Sequence, residues 1–182
     1  MLFLEVDLST GKVGTREILK EEQWSYLGGS GIGAKMLYDT TGPQTDPLSS
    51  ENTLIFSIGP LTGTGFPCSG RHSIVAKSPL TGLFAESDVG GRWGTELAKT
   101  GWSGVIIQGR AQDPVYLLVS GDGLQIHDAR EVWGKDTFAS SAMLTEKWGK
   151  GSEAAVTAPA GEEQVPLACI IHHGRDARAA GP

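Results

Sequence analysis

The densest run of ligand-binding residue types in the chain is Gly59-Pro60-Leu61-Thr62-Gly63-Thr64-Gly65-Phe66-Pro67-Cys68-Ser69-Gly70-Arg71. Glycines have no Cβ, so backbone N–H groups there can approach a flat or anionic ligand closely. Thr and Ser hydroxyls add donors, and Arg71 adds a planar fork of donors suited to phosphate. The run reads either as an anion cradle or as tight turns between strands, and Lys77-Ser78-Pro79-Leu80-Thr81-Gly82 continues the pattern a few residues on. A second run, Gly28-Gly29-Ser30-Gly31-Ile32-Gly33-Ala34-Lys35, lacks the Gly-x-Gly-x-x-Gly spacing of a dinucleotide loop, and Ala34 before Lys35 with Met36 after it fits no Walker loop. It marks a break between two helices, and it is either a plain cap or the start of a second helix whose free N–H groups face a ligand. The third run joins Asp88-Val89-Gly90-Gly91-Arg92 to the chain end, Gly174-Arg175-Asp176-Ala177-Arg178-Ala179-Ala180-Gly181-Pro182. A helix starting there would carry a partial positive charge toward phosphates, with the arginines reinforcing it or standing as ordinary surface charge.

Other chemistry is excluded or weak. His172 and His173 are adjacent, so on a strand they point to opposite faces and cannot ligate one metal together. The two cysteines, Cys68 and Cys169, form no Cys-x-x-Cys pair. Cys68 falls in the glycine-rich loop, and Cys169 between Ala168 and Ile170 reads as core. No Ser/His/Asp or Cys/His constellation follows from spacing, so no residue is assigned as general acid, base or nucleophile. A net charge of -6 argues against broad nucleic-acid binding, which needs a basic surface. No apolar stretch approaches the roughly 20 residues of a membrane span, and the N-terminus has no secretion signal, so a cytoplasmic location is expected.

The elements that must position these runs follow from periodicity. Phe3–Leu8 and Val13–Ile18 flank the turn Ser9-Thr10-Gly11-Lys12, a hairpin, and the same grammar returns at Val115–Val119 and Leu124–His127. Helical sequence follows each hairpin: Glu21–Leu27 and Ile32–Asp39 in one case, Thr137–Trp148 in the other. Each then leads to a strand ending in Pro, Thr53–Pro60 and Ala154–Pro159, and to one more strand, His72–Lys77 and Val165–Ile171. The order predicts an α+β fold with an internal duplication, two related β-sheet-plus-helix units over roughly 1–78 and 104–175. Between them, Ser87 or Asp88 as a cap, Val89, Trp93 and Leu97 at four-residue spacing, and Gly101 as a stop predict a helix. Trp24, Trp93, Trp133 and Trp148 fall at positions expected to pack rather than to serve as stacking platforms.

The ordered motifs resemble the N-terminal domain of the tungsten-containing aldehyde ferredoxin oxidoreductases. The likeness rests on Val6-Asp7-Leu8-Ser9-Thr10-Gly11, Asp46–Asn52, Gly59–Thr64, Gly70-Arg71, Lys77–Gly82, Gly90-Gly91, Pro159-Ala160-Gly161-Glu162 and Arg178-Ala179-Ala180-Gly181, which together span nearly the whole chain. It implies that residues 1–182 are a domain forming the base for a tungsten bis-pyranopterin (molybdopterin) cofactor, one pterin per half. Molybdenum in place of tungsten is an open alternative.

Carried over position by position, the resemblance implies that Arg71, after Gly70, lies between the pterin and a 4Fe-4S cluster. It implies that the backbone carbonyls of Asp88 and Ala179 bind a magnesium ion bridging the pterin phosphates, and that Gly90 and Gly91 let the cofactor approach. Arg92 and the Arg178-Ala179-Ala180-Gly181 segment complete the binding set. The family pattern has Asn where this chain has Asp88; a carbonyl ligand survives that difference, while the added carboxylate must be compensated by the ion or by Arg92. Family members continue into a further pterin loop and two helical domains holding the cluster's four cysteines and the substrate pocket, none of which lies within residues 1–182. Two cysteines cannot supply four thiolates, so the cluster is expected only in the full-length parent and the isolated chain is expected to be inactive. The implied activity of that parent is oxidation of an aldehyde to a carboxylate, with electrons leaving through the cluster to ferredoxin. A relative acting on another carbonyl or acyl compound and a non-catalytic pterin-binding or assembly module are the alternatives. Implied partners are the pterin, the parent's C-terminal domains and ferredoxin, and the isolated chain is expected to self-associate as a homo-oligomer. Neither nucleic acid nor membrane is an expected partner.

Overall fold

A computed structural model of the chain describes residues 1–172 and the backbone of a two-residue strand at 175–176. The first hairpin is as expected: β1 (Leu2–Asp7) pairs antiparallel with β2 (Lys12–Glu17). Its turn is tied by the Asp7 carboxylate, which accepts from Ser9 N at 2.9 Å and Thr10 Oγ1 at 2.9 Å, while Gly11 takes φ +70°. Two helices follow, α1 (Lys20–Tyr26) and α2 (Gly29–Thr40). α2 lies across β3 (Leu54–Ile58) and β4 (His72–Lys77), placing Ile32, Gly33, Met36 and Leu37 inward at helical spacing. A Cβ on Gly33 would stand 2.8 Å from Val75 Cγ2, so glycine sets how closely this helix can approach the sheet.

The expected helix beginning at Ser87 or Asp88 is a correction. Phe84–Val89 is a strand, β5, pairing antiparallel with β4, and the helix α3 runs only from Trp93 to Lys99. Ser87 and Asp88 are good caps in isolation, yet their backbone groups belong to the ladder with Ile74 and Ser73. Gly101 does follow the helix end at φ +88°. β6 (Gly104–Gln108) then enters the first sheet between β1 and β3, parallel to β1. The six strands run β2-β1-β6-β3-β4-β5. Both faces are covered, which is why every residue of β4 is buried. Phe3, Ile55, Val75 and Ile106 pack under α2, and Leu4, Val6, Phe56, Ile74 and Val105 pack on the other side.

The second hairpin, β7 (Val115–Ser120) with β8 (Gly123–Asp128), forms a separate sheet, and α4 (Thr137–Trp148) begins at Asp136, whose carboxylate accepts from Ala139 N. β9 (Ala155–Val156), β10 (Ile171–His172) and β11 (Arg175–Asp176) make a third, small sheet, with the short α5 (Pro159–Glu162) between the first two. The mixed α+β class is present, but the described strands do not confirm the duplication. β6, counted with the second unit, is an interior strand of the first sheet, and what remains forms two small sheets rather than a matching one. The strand expected over Val165–Ile171 is also corrected: Val165–Leu167 lies in exposed turns and only Ile171 is in β10. Cys169, expected in the core, is only half-buried. Trp24 is 80% exposed, and Trp133 and Trp148 keep much of their surface open, so of the four expected packing positions Trp93 is the one set among other aromatic rings in the sheet's second core. No described helix is long and apolar enough to cross a membrane.

Candidate functional site

One end of the six-stranded sheet gathers the glycine-rich runs. Ile58 ends β3 opposite His72, which starts β4 and stands opposite Val89 at the end of β5. The loop 59–71 therefore leaves and re-enters the sheet beside Gly90-Gly91. Gly28 reaches the same place, because a Cβ on it would lie 3.0 Å from Ile58 O and 3.2 Å from Pro60 Cδ. Distance along the chain hid this convergence, and strand pairing produces it.

The loop is self-tied. Thr62 Oγ1 accepts from Gly59 N at 3.1 Å and donates to Arg71 O at 2.8 Å, pinning both loop ends together. Thr64 Oγ1 donates to Leu61 O and Ser69 Oγ to Thr64 O, so these hydroxyl protons serve the loop rather than a ligand. Gly63, at φ +77°, lies against α3, where a Cβ would sit 2.7 Å from Ala98 Cβ, and a Cβ on Gly70 would sit 2.6 Å from Gly91 O. These two glycines are needed for packing. Gly90 and Gly91 differ: among the described residues, a Cβ on either would meet nothing within 4 Å. They face open space next to Gly70 and the exposed Arg71, as the edge of a bed for a flat ligand would.

The charged candidates divide. Asp88 lies on β5, and its Oδ1 accepts from Ser73 Oγ at 2.7 Å on the face toward α2. Arg92 does not compensate Asp88 as the sequence suggested. It is the residue before α3 and pairs instead with Glu96 and with Glu153, both at 3.4 Å. α3 has only seven residues, so the expected long helix aimed at a phosphate from Asp88 is absent. Arg178, Ala179, Ala180 and Gly181, with His173, lie outside the described residues. A groove of about 290 Å³ between the β7–β8 hairpin and α4, lined by Tyr116, Asp128, Met143 and Lys147, contains none of the glycine-rich loops.

Sequence reasoning missed one buried constellation at this end. His72 Nε2 and His172 Nε2 stand 3.2 Å apart, each residue 2% exposed, with Trp93 packed on both rings. Burial pushes His72 down to about 3, helped by the neighbouring His172, and burial alone pushes His172 down to about 4. The two are 100 positions apart, so no local pattern signals the pair; only strand alternation over His72, Ile74 and Ala76 could have turned His72 inward.

Comparison with known proteins decides the family. The model for "Aldehyde ferredoxin oxidoreductase, N-terminal domain" matches residues 3–182. The chain belongs to that family. Relatives of this N-terminal domain include the tungsten-containing aldehyde ferredoxin oxidoreductase of Pyrococcus horikoshii, 41% identical over 98% of this chain and 29% of the relative. The aliphatic sulfonate oxidoreductase, WOR-like subunit, of Pyrococcus furiosus is 38% identical over 72% of this chain and 21% of that protein. Among solved structures, a chain of the active-site complex BamBC of benzoyl coenzyme A reductase, with 1,5-dienoyl-CoA, superposes with a TM-score of 0.93 at 33% identity, covering 97% of this chain and 27% of that one. This aldehyde ferredoxin oxidoreductase N-terminal domain thus spans under a third of the length of these curated relatives.

Proposed function

We propose that residues 1–182 form the pterin-binding domain of a tungsten oxidoreductase that oxidises aldehydes to carboxylates and passes electrons through a 4Fe-4S cluster, held by the rest of the parent, to ferredoxin. The observation that carries this reading is the 41% identity over 98% of the chain to an enzyme of that name. The open surface at Gly90 and Gly91 beside Arg71 fits a bound pterin, since a side chain at either glycine would occupy the space the ligand needs.

When bound, the tungsten pterin, or its molybdenum counterpart, supplies two-electron redox chemistry. This chain's part is to hold and orient it. Arg71 would donate from its guanidinium to acceptors on the pterin and the cluster, and a guanidinium would keep its charge there. Gly90 and Gly91 would allow backbone approach, Gly70 would act by letting the loop pack against Gly91, and Arg92 and Arg178-Ala179-Ala180-Gly181 would close the binding set. The carbonyls of Asp88 and Ala179 would hold a magnesium ion, which would offset phosphate charge. Ser73 supports this assignment by drawing the Asp88 carboxylate into a hydrogen bond on the α2 face.

Elemental analysis of the anaerobically purified parent tests the reading: tungsten or molybdenum with pterin and about four irons per chain is expected. A folded parent without metal or pterin overturns it in favour of a module kept for another purpose. A second reading keeps the cofactor and changes the substrate to an acyl-CoA compound. The superposition on a benzoyl coenzyme A reductase component favours it. Turnover of benzoyl-CoA but not of aldehydes would establish that alternative.

A further inference from the structure

The buried histidine pair has no part in the proposed cofactor chemistry. His72 opens β4 immediately after Arg71, and His172 closes β10 at the start of the segment leading to Arg178 and Ala179. Their Nε2 atoms meet at 3.2 Å, and both Nδ1 atoms are buried with no hydrogen-bond partner among the described residues. The ring centroids are 4.7 Å apart, with Trp93 at 4.6 Å from His72 and 5.5 Å from His172, and Phe56 at 6.4 Å from His172. The pair is thus the polar centre of the contact between the six-stranded sheet and the small β9–β10 sheet.

We infer that the His72–His172 imidazole pair is a proton-sensitive clasp, which holds the β9–β10 sheet against the strand that begins beside Arg71 while both rings are neutral and releases it when they are protonated. Two neutral imidazoles make one N–H···N bond between their Nε2 atoms, one ring donating and the other accepting. The first added proton goes to the open Nδ1 of the donor ring. It leaves that bond in place but creates a positive charge among aromatic and aliphatic groups. A second proton turns both Nε2 atoms into donors and breaks the bond.

No counter-charge is described at the rings. From β3 they meet Phe56, from β5 Val89 opposite His72, from α3 Trp93 and Gly94, and from β9 Ala155 opposite His172. The charged residues on these elements and beside them are engaged or turned elsewhere. Glu96 and Glu153 pair with Arg92, Lys99 pairs with Glu96, and Asp88 accepts from Ser73 on the far face. Glu86 and Arg71 are exposed, and Lys77 at the other end of β4 binds loop carbonyls. The face of Trp93 is a π surface and supplies no net negative charge.

Amide hydrogen exchange on the full chain at pH 7 and pH 4.5, corrected for the intrinsic pH effect, tests the clasp. Residues 155–156 and 171–172 should lose protection at least tenfold at the lower pH while β3 and β4 keep theirs. A His72→Phe/His172→Phe variant should show no such pH difference. Equal wild-type protection at both pH values, or the same loss in the double variant, overturns the inference. Should the double variant fail to fold, imidazole ¹⁵N shifts of the wild type decide. Titration below pH 5 together with the loss of protection supports the clasp, and titration near 6.5 with protection unchanged sinks it.

Discussion

At Gly70 and Gly90 the same substitution should have opposite meanings, because one glycine is needed by the fold and the other is proposed to leave room for a ligand. Gly70→Ala drives a methyl to 2.6 Å from Gly91 O and should cost about 1–3 kcal/mol, read as a lowered Tm. Gly90→Ala meets open space, so Tm should stay within about 2 °C, the shift of a change below roughly 0.5 kcal/mol, while pterin retention by the parent falls. Unchanged retention in that variant would remove Gly90 from the binding surface. Arg71→Ala should leave the fold intact, since only its backbone carbonyl is engaged within the loop. It should lower pterin retention or activity by roughly tenfold or more, the worth of one charge-assisted hydrogen bond. Wild-type behaviour in the parent would sink its assigned role. Arg71 and these glycines stood out in the sequence as candidates because their residue types state what they can do. The self-tying of Thr62, Thr64 and Ser69 was not, since a hydroxyl's partner depends on how the loop folds back.

Between elements, the least local features carry the most weight. Lys77 ends β4 buried, with Nζ donating to Pro43 O at 2.7 Å and Thr45 O at 2.8 Å, and so fastens the 42–52 loop to the sheet with help from Asn52. Lys77→Met should cost about 2 kcal/mol, or about 4–8 °C in Tm, and speed proteolysis of that loop. The histidine pair sets a pH dependence of definite sign. Folding lowers both histidines from 6.5, to about 3 and about 4, so the unfolded chain takes up protons first as pH falls. The stability they contribute is complete above about pH 6.5 and is lost as pH drops through about 4 and then about 3. Tm should therefore fall by about 5 °C or more between pH 7 and pH 4.5, and by clearly less in the His72→Phe/His172→Phe variant. Equal falls in both would remove the pair as the cause. β5 shows why such features escape a sequence reading. Ser87, Asp88, Val89, Trp93 and Leu97 satisfy a helix pattern locally, yet ladder bonds to β4, about fifteen residues earlier, claim the first three for a strand.

Over the whole molecule, exposed apolar surface is abundant. Trp24 is 80% and Tyr38 85% exposed, and Leu61, Phe66, Leu80 and Leu83 stand out from the loops beside the sheet, as does Phe84 at the start of β5. The chain spans 29% of the length of the Pyrococcus horikoshii relative, and an exposed apolar surface of this kind favours association. The 182-residue chain should therefore self-associate with rising concentration in sedimentation velocity, and a strictly monomeric chain across the micromolar range would count against that picture. The sequence by itself determined the α+β class, both hairpins, α2 and α4, and the family, because short-range periodicity, turn chemistry and ordered motifs are written in consecutive residues. Only the tertiary structure decided that β6 enters the first sheet, that Asp88 is held by Ser73 on a strand, and that His72 meets His172. Each of these depends on pairing between segments distant in the chain, where the free energy of ladder formation and burial outweighs the preference of any local stretch.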